Sequence, residues 1–180
     1  MSKAAQEAAA LAYAERHGLR VVVTRSFNHT GPGQRADFVV PALARRILDV
    51  ARGQASDVPV GNLDVRRDIS DVRDVARAYR LLLERAANDE VERGGIVVNV
   101  CSGRSIVIRE VAEEFAKLAG VDAVLRVDPQ LVRPDDPREI RGDHTLLTRL
   151  TGWQPVWTLD QTLSSIWNEL SMTRPESVHD

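Results

Sequence analysis

The runs "LRVVVTRS" (residues 19–26) and "GIVVNVCSG" (95–103) constrain this chain more than any other feature. Each is short, rich in β-branched residues and without helical period. That pattern suits a strand covered on both faces of a parallel sheet. Between and around such runs lie segments with apolar residues at helical spacing, so the chain alternates strand and helix and its class is α/β. "VPVGNLDVRRDIS" reads as a short strand, an Asn-containing turn and an extended segment, and "AVLRVDP" as a further strand.

The helices follow from period and punctuation. Ser2–His17 is alanine-rich, with Ala4, Ala8, Leu11 and Ala12 on one face and Gly18 as its stop. Residues 38–52 place Phe38, Leu43, Ile47 and Val50 on one face, and 71–87 do the same with Val72, Val75, Ala76, Tyr79, Leu82 and Leu83. "SIVIREVAEEFAKLAG" predicts a helix from its first residue. Asp143 is placed to cap a short helix ended by Gly152, and Thr158 with Gln161 forms a capping box for a last helix over 159–170. Trp153, Trp157 and Trp167 are expected to pack the core and rim of a small C-terminal lobe. "FNHTGPGQ" and "QLVRPDDPREIRGD" read as loops.

Composition excludes several function classes. With 43% apolar and 28% charged residues and a net charge of −2, the chain reads as a soluble globular protein with no bulk case for nucleic acid or membrane binding. All but two of the 24 basic residues are arginine, the exceptions being Lys3 and Lys117. They are spread along the chain, which is no binding patch. Cys101 is the only cysteine, so no disulfide forms within the chain, which favours a reducing cytoplasm. His17, His29, His144 and His179 show no HxxxH or His/Cys pairing, so no metal site is expected. Asp68, Asp71 and Asp74 are tempting as a cluster, but their spacing suits capping and solvation of a helix start.

No GxGxxG, GxxGxxG or GxxxxGK occurs, so the N-terminal glycine-rich βαβ unit of a dinucleotide-binding sheet is absent from these residues. The blocks "SKAAQE", "RSFNHTGPGQ", "VGNLDVRRDISDVRDVARAY", "NVCSG", "RPDDPREIRGD" and "TGWQPVWTLDQTL", in this order from Ser2 to about Leu170, resemble the C-terminal half of the extended short-chain dehydrogenase/reductase family, the NAD-dependent epimerase/dehydratases. Within it they are most similar to the GDP-4-keto-6-deoxymannose reductase branch, then to the GDP-mannose 4,6-dehydratases.

The resemblance implies a partial Rossmann-type domain over 1–170, the substrate-binding half, followed by a frayed tail at 171–180. It also implies an NAD(P) cofactor, a GDP-sugar ligand, hydride transfer to a C4 ketone, and a cytoplasmic protein. Lys3 then matches the lysine of a YxxxK pair, catalytic and cofactor-binding, whose tyrosine would precede Met1. The chain would therefore begin inside the catalytic helix through a mis-set start, a split gene or a decayed gene. It is expected to be inactive alone, and to self-associate or need a missing N-terminal half. Taken alone, Lys3 is a solvated first-turn lysine.

His29 matches a position near the nicotinamide end of the cofactor, and reads equally as a satisfied loop histidine. Asn28, Gln34, Arg45, Arg67 and Arg133 match substrate-binding positions, the arginines because a guanidinium grips a diphosphate with parallel hydrogen bonds. Surface solvation is the plain alternative for each arginine, and Arg45 has the weakest match. Ile69 departs from the family, which carries an aromatic there. A dehydratase-like fragment and a non-catalytic GDP-sugar-binding module remain open beside the reductase.

Overall fold

A computed structural model describes residues 2–88 and 90–172. In chain order the elements are α1 (Ser2–His17), β1 (Val22–Ser26), β2 (Asn28–Thr30), α2 (Val39–Ala51), β3 (Val58–Val60), β4 (Arg66–Asp71), α3 (Val72–Ala87), β5 (Ile96–Val100), β6 (Ser105–Val107), α4 (Ile108–Ala119), β7 (Leu125–Val127), β8 (Glu139–Ile140), α5 (Thr145–Thr151) and α6 (Leu159–Met172). They fall into two interleaved units. Unit 1 comprises 1–29, 68–104 and 141–156, and unit 2 comprises 30–67, 105–140 and 157–180.

Unit 1 is built on the two β-branched runs, which pair in parallel from Val22 opposite Ile96 to Ser26 opposite Val100. Helices α3 and α5 pack against this pair. Val75, Ala78, Leu82, Val98, Val100, Leu147 and Trp153 form the core. Trp153 is fully buried and donates from its indole Nε1 to Asp74 O at 3.0 Å. It therefore serves the core of unit 1, and only Trp167 and Trp157 belong to the other unit.

The face predicted for α1 is not the one that packs. Ala4, Ala8 and Ala12 are exposed, Leu11 is half-buried, and Ala14 is the only buried residue of the helix. Small alanines bury little area, so they do little to decide which side of a helix is covered. Likewise Tyr79 and Leu83 of α3 are exposed, because only its Val75, Ala78, Leu82 stripe reaches the core.

Unit 2 holds α2, α4 and α6 packed on one another. Val40, Leu43, Ala44, Ile47 and Leu48 of α2 meet Ile108, Val111, Ala112 and Phe115 of α4 and Leu163 and Ile166 of α6 in its buried set. Phe38, expected inside, is the N-cap residue and is 57% exposed. Residues 105–107 form β6 before α4 begins, so the predicted helix loses its first turn to a strand; three consecutive positions, Ser105, Ile106 and Val107, include two β-branched residues that favour extended backbone. Strand β3 pairs in parallel with β7, from Val58 opposite Leu125 to Val60 opposite Val127.

Two predicted loops also contain regular structure: β2 lies within "FNHTGPGQ", strand β8 lies within "QLVRPDDPREIRGD", and a 3-10 turn at Pro129–Leu131 starts at the last residue of the predicted strand "AVLRVDP" and runs into that loop. The capping box on α6 forms as expected, with Thr158 N donating to Gln161 Oε1 at 3.0 Å and Gln161 N to Thr158 Oγ1 at 3.2 Å. Asp143 Oδ1 accepts from Thr145 N at 2.7 Å at the start of α5, although the backbone cap is His144. Of the expected frayed tail, Ser171 and Met172 belong to α6 and 173–180 lie outside the described residues. No helix among the described residues is long and apolar enough to cross a membrane.

Candidate functional site

The "VGNLDV" stretch between β3 and β4 turns sharply, with Asp64 N donating to Asn62 Oδ1 at 3.0 Å. A side chain at Gly61 would begin 2.4 Å from Leu131 O, so this glycine lets the backbone of Leu131 come close. The result is a recess of about 200 Å³ within unit 2. Val60, Leu63, Leu125, Val127 and Val132 give it an apolar floor and walls, while Asn62, Asp64 and Arg109 supply polar groups. Arg109 Nη2 donates to Asp64 Oδ1 at 2.8 Å, and both side chains are well exposed. Such a surface suits a flat, partly apolar ring with hydrogen-bonding edges.

The segment from Val132 to Ile140 runs on from this recess. Arg133 on it is exposed. Arg67, at the start of β4, is 6% exposed and engaged inside the unit. Its Nη1 donates to Arg66 O at 2.7 Å and Pro137 O at 2.9 Å, and its Nη2 forms a 2.5 Å ion pair with Asp136. Strand β8 pairs in parallel with β4, Glu139 opposite Arg66 and Ile140 opposite Arg67.

The GPGQ turn belongs to the same unit. Gly33 adopts φ 79°, and its N–H donates to Glu169 Oε2 at 2.6 Å. Gln34 Oε1 accepts from the buried Thr30 hydroxyl at 2.6 Å, so its carbonyl end is spent on holding the turn. Arg45 is exposed on α2. Four of the seven site residues expected from sequence thus lie in unit 2, and the other three, Lys3, Asn28 and His29, lie in unit 1. All three are exposed, and His29 Nδ1 lies 3.0 Å from Phe27 O.

The aspartates of "RDISDVRD" do not solvate a helix start. All three are buried. Asp68 accepts from Ser102 N and Oγ through Oδ1 at 2.8 and 2.6 Å, and from Gly103 N and Gly142 N through Oδ2 at 2.9 and 3.1 Å. Asp71 caps α3 by accepting from Arg73 N at 2.8 Å. Asp74 accepts from Arg77 Nη2 at 2.8 Å and Val156 N at 3.0 Å. Among the described residues no group of acidic, histidine and cysteine side chains is arranged to hold a metal. Cys101 beside them is no nucleophile: burial, with the Asp68 carboxylate nearby, pushes its thiol up to about 12.

The phenols are Tyr13, exposed on α1, and Tyr79, whose hydroxyl lies 2.6 Å from Ser26 Oγ. Neither stands in a YxxxK pair. Asp136 and the recess residues Asn62, Asp64 and Arg109 escaped sequence reasoning. The close approach at Gly61 was the one local signal, since a glycine ahead of an Asn turn marks tight backbone contact.

The sequence profile of GDP-mannose 4,6 dehydratase matches residues 1–166. The GDP-6-deoxy-D-mannose reductase of Pseudomonas aeruginosa is 41% identical over 170 residues, covering 94% of this chain and 54% of that protein. The GDP-mannose 4,6-dehydratase of Yersinia enterocolitica is 26% identical, covering 83% of this chain and 46% of its own length. The structure of RMD from Pseudomonas aeruginosa complexed with NADPH superposes with a TM-score of 0.81 at 39% identity, over 91% of this chain and 52% of that one. The chain spans about half the length of these relatives. Its α/β fold with parallel pairing is therefore that of a Rossmann-type enzyme, and the chain belongs to the GDP-mannose 4,6-dehydratase family of extended short-chain dehydrogenases/reductases.

Proposed function

We propose that these 180 residues form the sugar-nucleotide-binding half of a reductase of the GDP-4-keto-6-deoxymannose type. The observation that carries this reading is the recess of unit 2, with an apolar floor, polar groups beside it and Arg133 exposed on the segment that continues its wall. A nucleoside base would occupy the recess and its diphosphate would meet Arg133, while Arg67, the other expected diphosphate arginine, would have to leave Asp136 to reach it. Gln34 and Arg45 are the further sugar-nucleotide contacts expected within unit 2, and Asn28 is the one expected from unit 1. The reductase branch is preferred to the dehydratase branch because identity is 41% to the one and 26% to the other.

NAD(P)H would supply the hydride in the whole enzyme. Within these residues Lys3 and His29 are the expected contacts to its ribose and nicotinamide, and no glycine-rich turn is present to hold its pyrophosphate. The cofactor's full site does not fit on this chain. Proton transfer to a nascent alkoxide also needs a donor within ~2.6–3.2 Å of the reacting oxygen, and no YxxxK tyrosine is present to provide it. We expect a cytoplasmic protein whose exposed α1 and the bare Tyr79 and Leu83 of α3 lead it to self-associate. A monodisperse monomer by light scattering would count against that last point.

The test is calorimetry with GDP, GMP and guanosine. GDP should bind most tightly, and Arg133→Ala should weaken it by about tenfold or more, as expected for loss of a charge-assisted hydrogen bond. Residues 1–180 mixed with NADPH and a GDP-4-keto sugar should show no fall in nicotinamide absorbance. A well-folded sample that binds none of the three nucleotides would sink the proposal.

A further inference from the structure

The stretch Gly31–Gln34 has the residue order of a type II turn, with proline second and glycine third. Gly33 adopts φ 79°, the value such a turn asks of its third residue, and Gln34 N donates to Gly31 O across a long 3.3 Å. A closing bond so weak leaves the turn to be held by other groups. One is close by: the buried Thr30 hydroxyl donates to Gln34 Oε1 at 2.6 Å. The other comes from 136 positions away, where Glu169 Oε2 accepts from Gly33 N–H at 2.6 Å. Glu169 is exposed near the end of α6, whose Leu163 and Ile166 are buried, and all of these residues belong to unit 2. A carboxylate accepting from a backbone N–H makes one of the stronger hydrogen bonds in a protein.

The N–H that Glu169 takes belongs to the Pro32–Gly33 peptide, the central one of the turn. That peptide is the group that turns over between type I and type II, because the two types differ in ψ of the second residue and φ of the third. A carboxylate fixed on α6 selects one of the two orientations. Resting on the sugar-nucleotide reading above, we propose that Glu169 is a positioning residue. It holds the Pro32–Gly33 peptide in its type II orientation, and so sets the surface that this turn and Gln34 offer to the hexose of a bound sugar nucleotide. On that reading the base and the diphosphate are taken by the recess and Arg133, which leaves the hexose for the turn. No motif singled out Glu169, because its target lies far from it in sequence.

Amide exchange by NMR, combined with calorimetric titration of GDP and of GDP-mannose, tests this in Glu169→Ala, Glu169→Gln and Gly33→Ala. Alanine is the best helix former and Glu169 is exposed, so α6 should survive the substitution, with the Leu163 and Ile166 amides as protected as in the wild type. Glu169→Ala should speed exchange of the Gly33 amide by about fivefold or more. It should weaken GDP-mannose binding by about fivefold and leave GDP affinity within about twofold, as expected for loss of one hydrogen bond that acts on the hexose end. A residue that only stabilised unit 2 would lower both affinities together. Glu169→Gln, whose amide oxygen still accepts, should recover most of the GDP-mannose affinity. In Gly33→Ala the new Cβ meets no atom within 4 Å, but the positive φ is strained, so the turn is disturbed with Glu169 in place and the same selective loss should follow.

Three results would overturn the proposal: unchanged Gly33 exchange in Glu169→Ala, equal losses for GDP and GDP-mannose, or a Glu169→Gln variant as weak as Glu169→Ala. If the wild-type chain binds neither nucleotide, the sugar-nucleotide reading falls and the hexose assignment with it, while Gly33 exchange still decides whether Glu169 fixes the turn.

Discussion

Unit 1 and unit 2 use charge differently. In unit 1, Asp68, Asp71 and Asp74 are buried and saturated with donors, most from backbone N–H groups and the rest from Ser102, Arg73 and Arg77. Such carboxylates tie distant segments together and have little left for a ligand. In unit 2, Asp64, Arg109 and Arg133 stand at the surface near a recess whose Val127 is 61% exposed. Exposed apolar floor beside exposed charge is costly to leave bare and gains from being covered. The contrast separates scaffold from binding surface, and it can be broken or sharpened by substitution.

The largest effect is expected at Asp68. Asp68→Ala would strand the four donors from Ser102, Gly103 and Gly142, costing about 4 kcal/mol or more and lowering Tm by on the order of 10 °C. Calorimetric melting measures it, and a loss under ~1 kcal/mol would show that unit 1 does not depend on this carboxylate.

Gly142→Ala comes next. Its new Cβ would begin 2.5 Å from Cys101 Sγ and 2.9 Å from Phe27 Cε2, and overpacking of that kind costs about 1–3 kcal/mol. Denaturant melts of the variant should show a lower midpoint with an unchanged slope.

Val127→Ser, on the recess, should leave stability within about 0.5 kcal/mol yet weaken GDP binding severalfold. A large drop in stability with normal GDP affinity would reverse the assignment of the two units.

The smallest effect concerns the surface pair of unit 1, Arg25 with Glu7, whose Nη2 and Oε1 lie 2.6 Å apart. The Arg25 hydrogen bond holds the Glu7 carboxyl below its ordinary range. A depressed folded value means the pair stabilises above the unfolded value and loses that contribution as pH falls through the folded one. Glu7→Gln should therefore lower Tm slightly at neutral pH and not at all well below the glutamate range. Added salt should shrink the neutral-pH difference. A difference that persists in acid would mean the pair is not what Glu7 contributes.

Much of the fold was legible because it rests on local rules. The β-branched runs became β1 and β5, Gly18 and Gly152 stop helices with positive or left-handed φ, and Thr158 with Gln161 forms its capping box. The candidate site was legible only by residue type. Arg67 and Arg133 look alike in sequence, and it takes the packing of residues 132–140 on β4 to bury one and leave the other exposed. Asp71 caps α3 as local rules say, but Asp68 misled: a carboxylate near a helix start caps or solvates by those rules, whereas the donors that bury Asp68 come from residues 34, 35 and 74 positions away.

The sequence by itself determined the α/β class, the main strands and helices and the family, since periodicity, turn chemistry and ordered motifs are local and survive without coordinates. Only the tertiary structure decided that Trp153 serves unit 1, that the three aspartates are internal, that a recess opens beside Gly61, and that Asp136 holds Arg67. Those outcomes depend on which distant segments meet, and burial of a charge is settled by partners that no short stretch of chain contains.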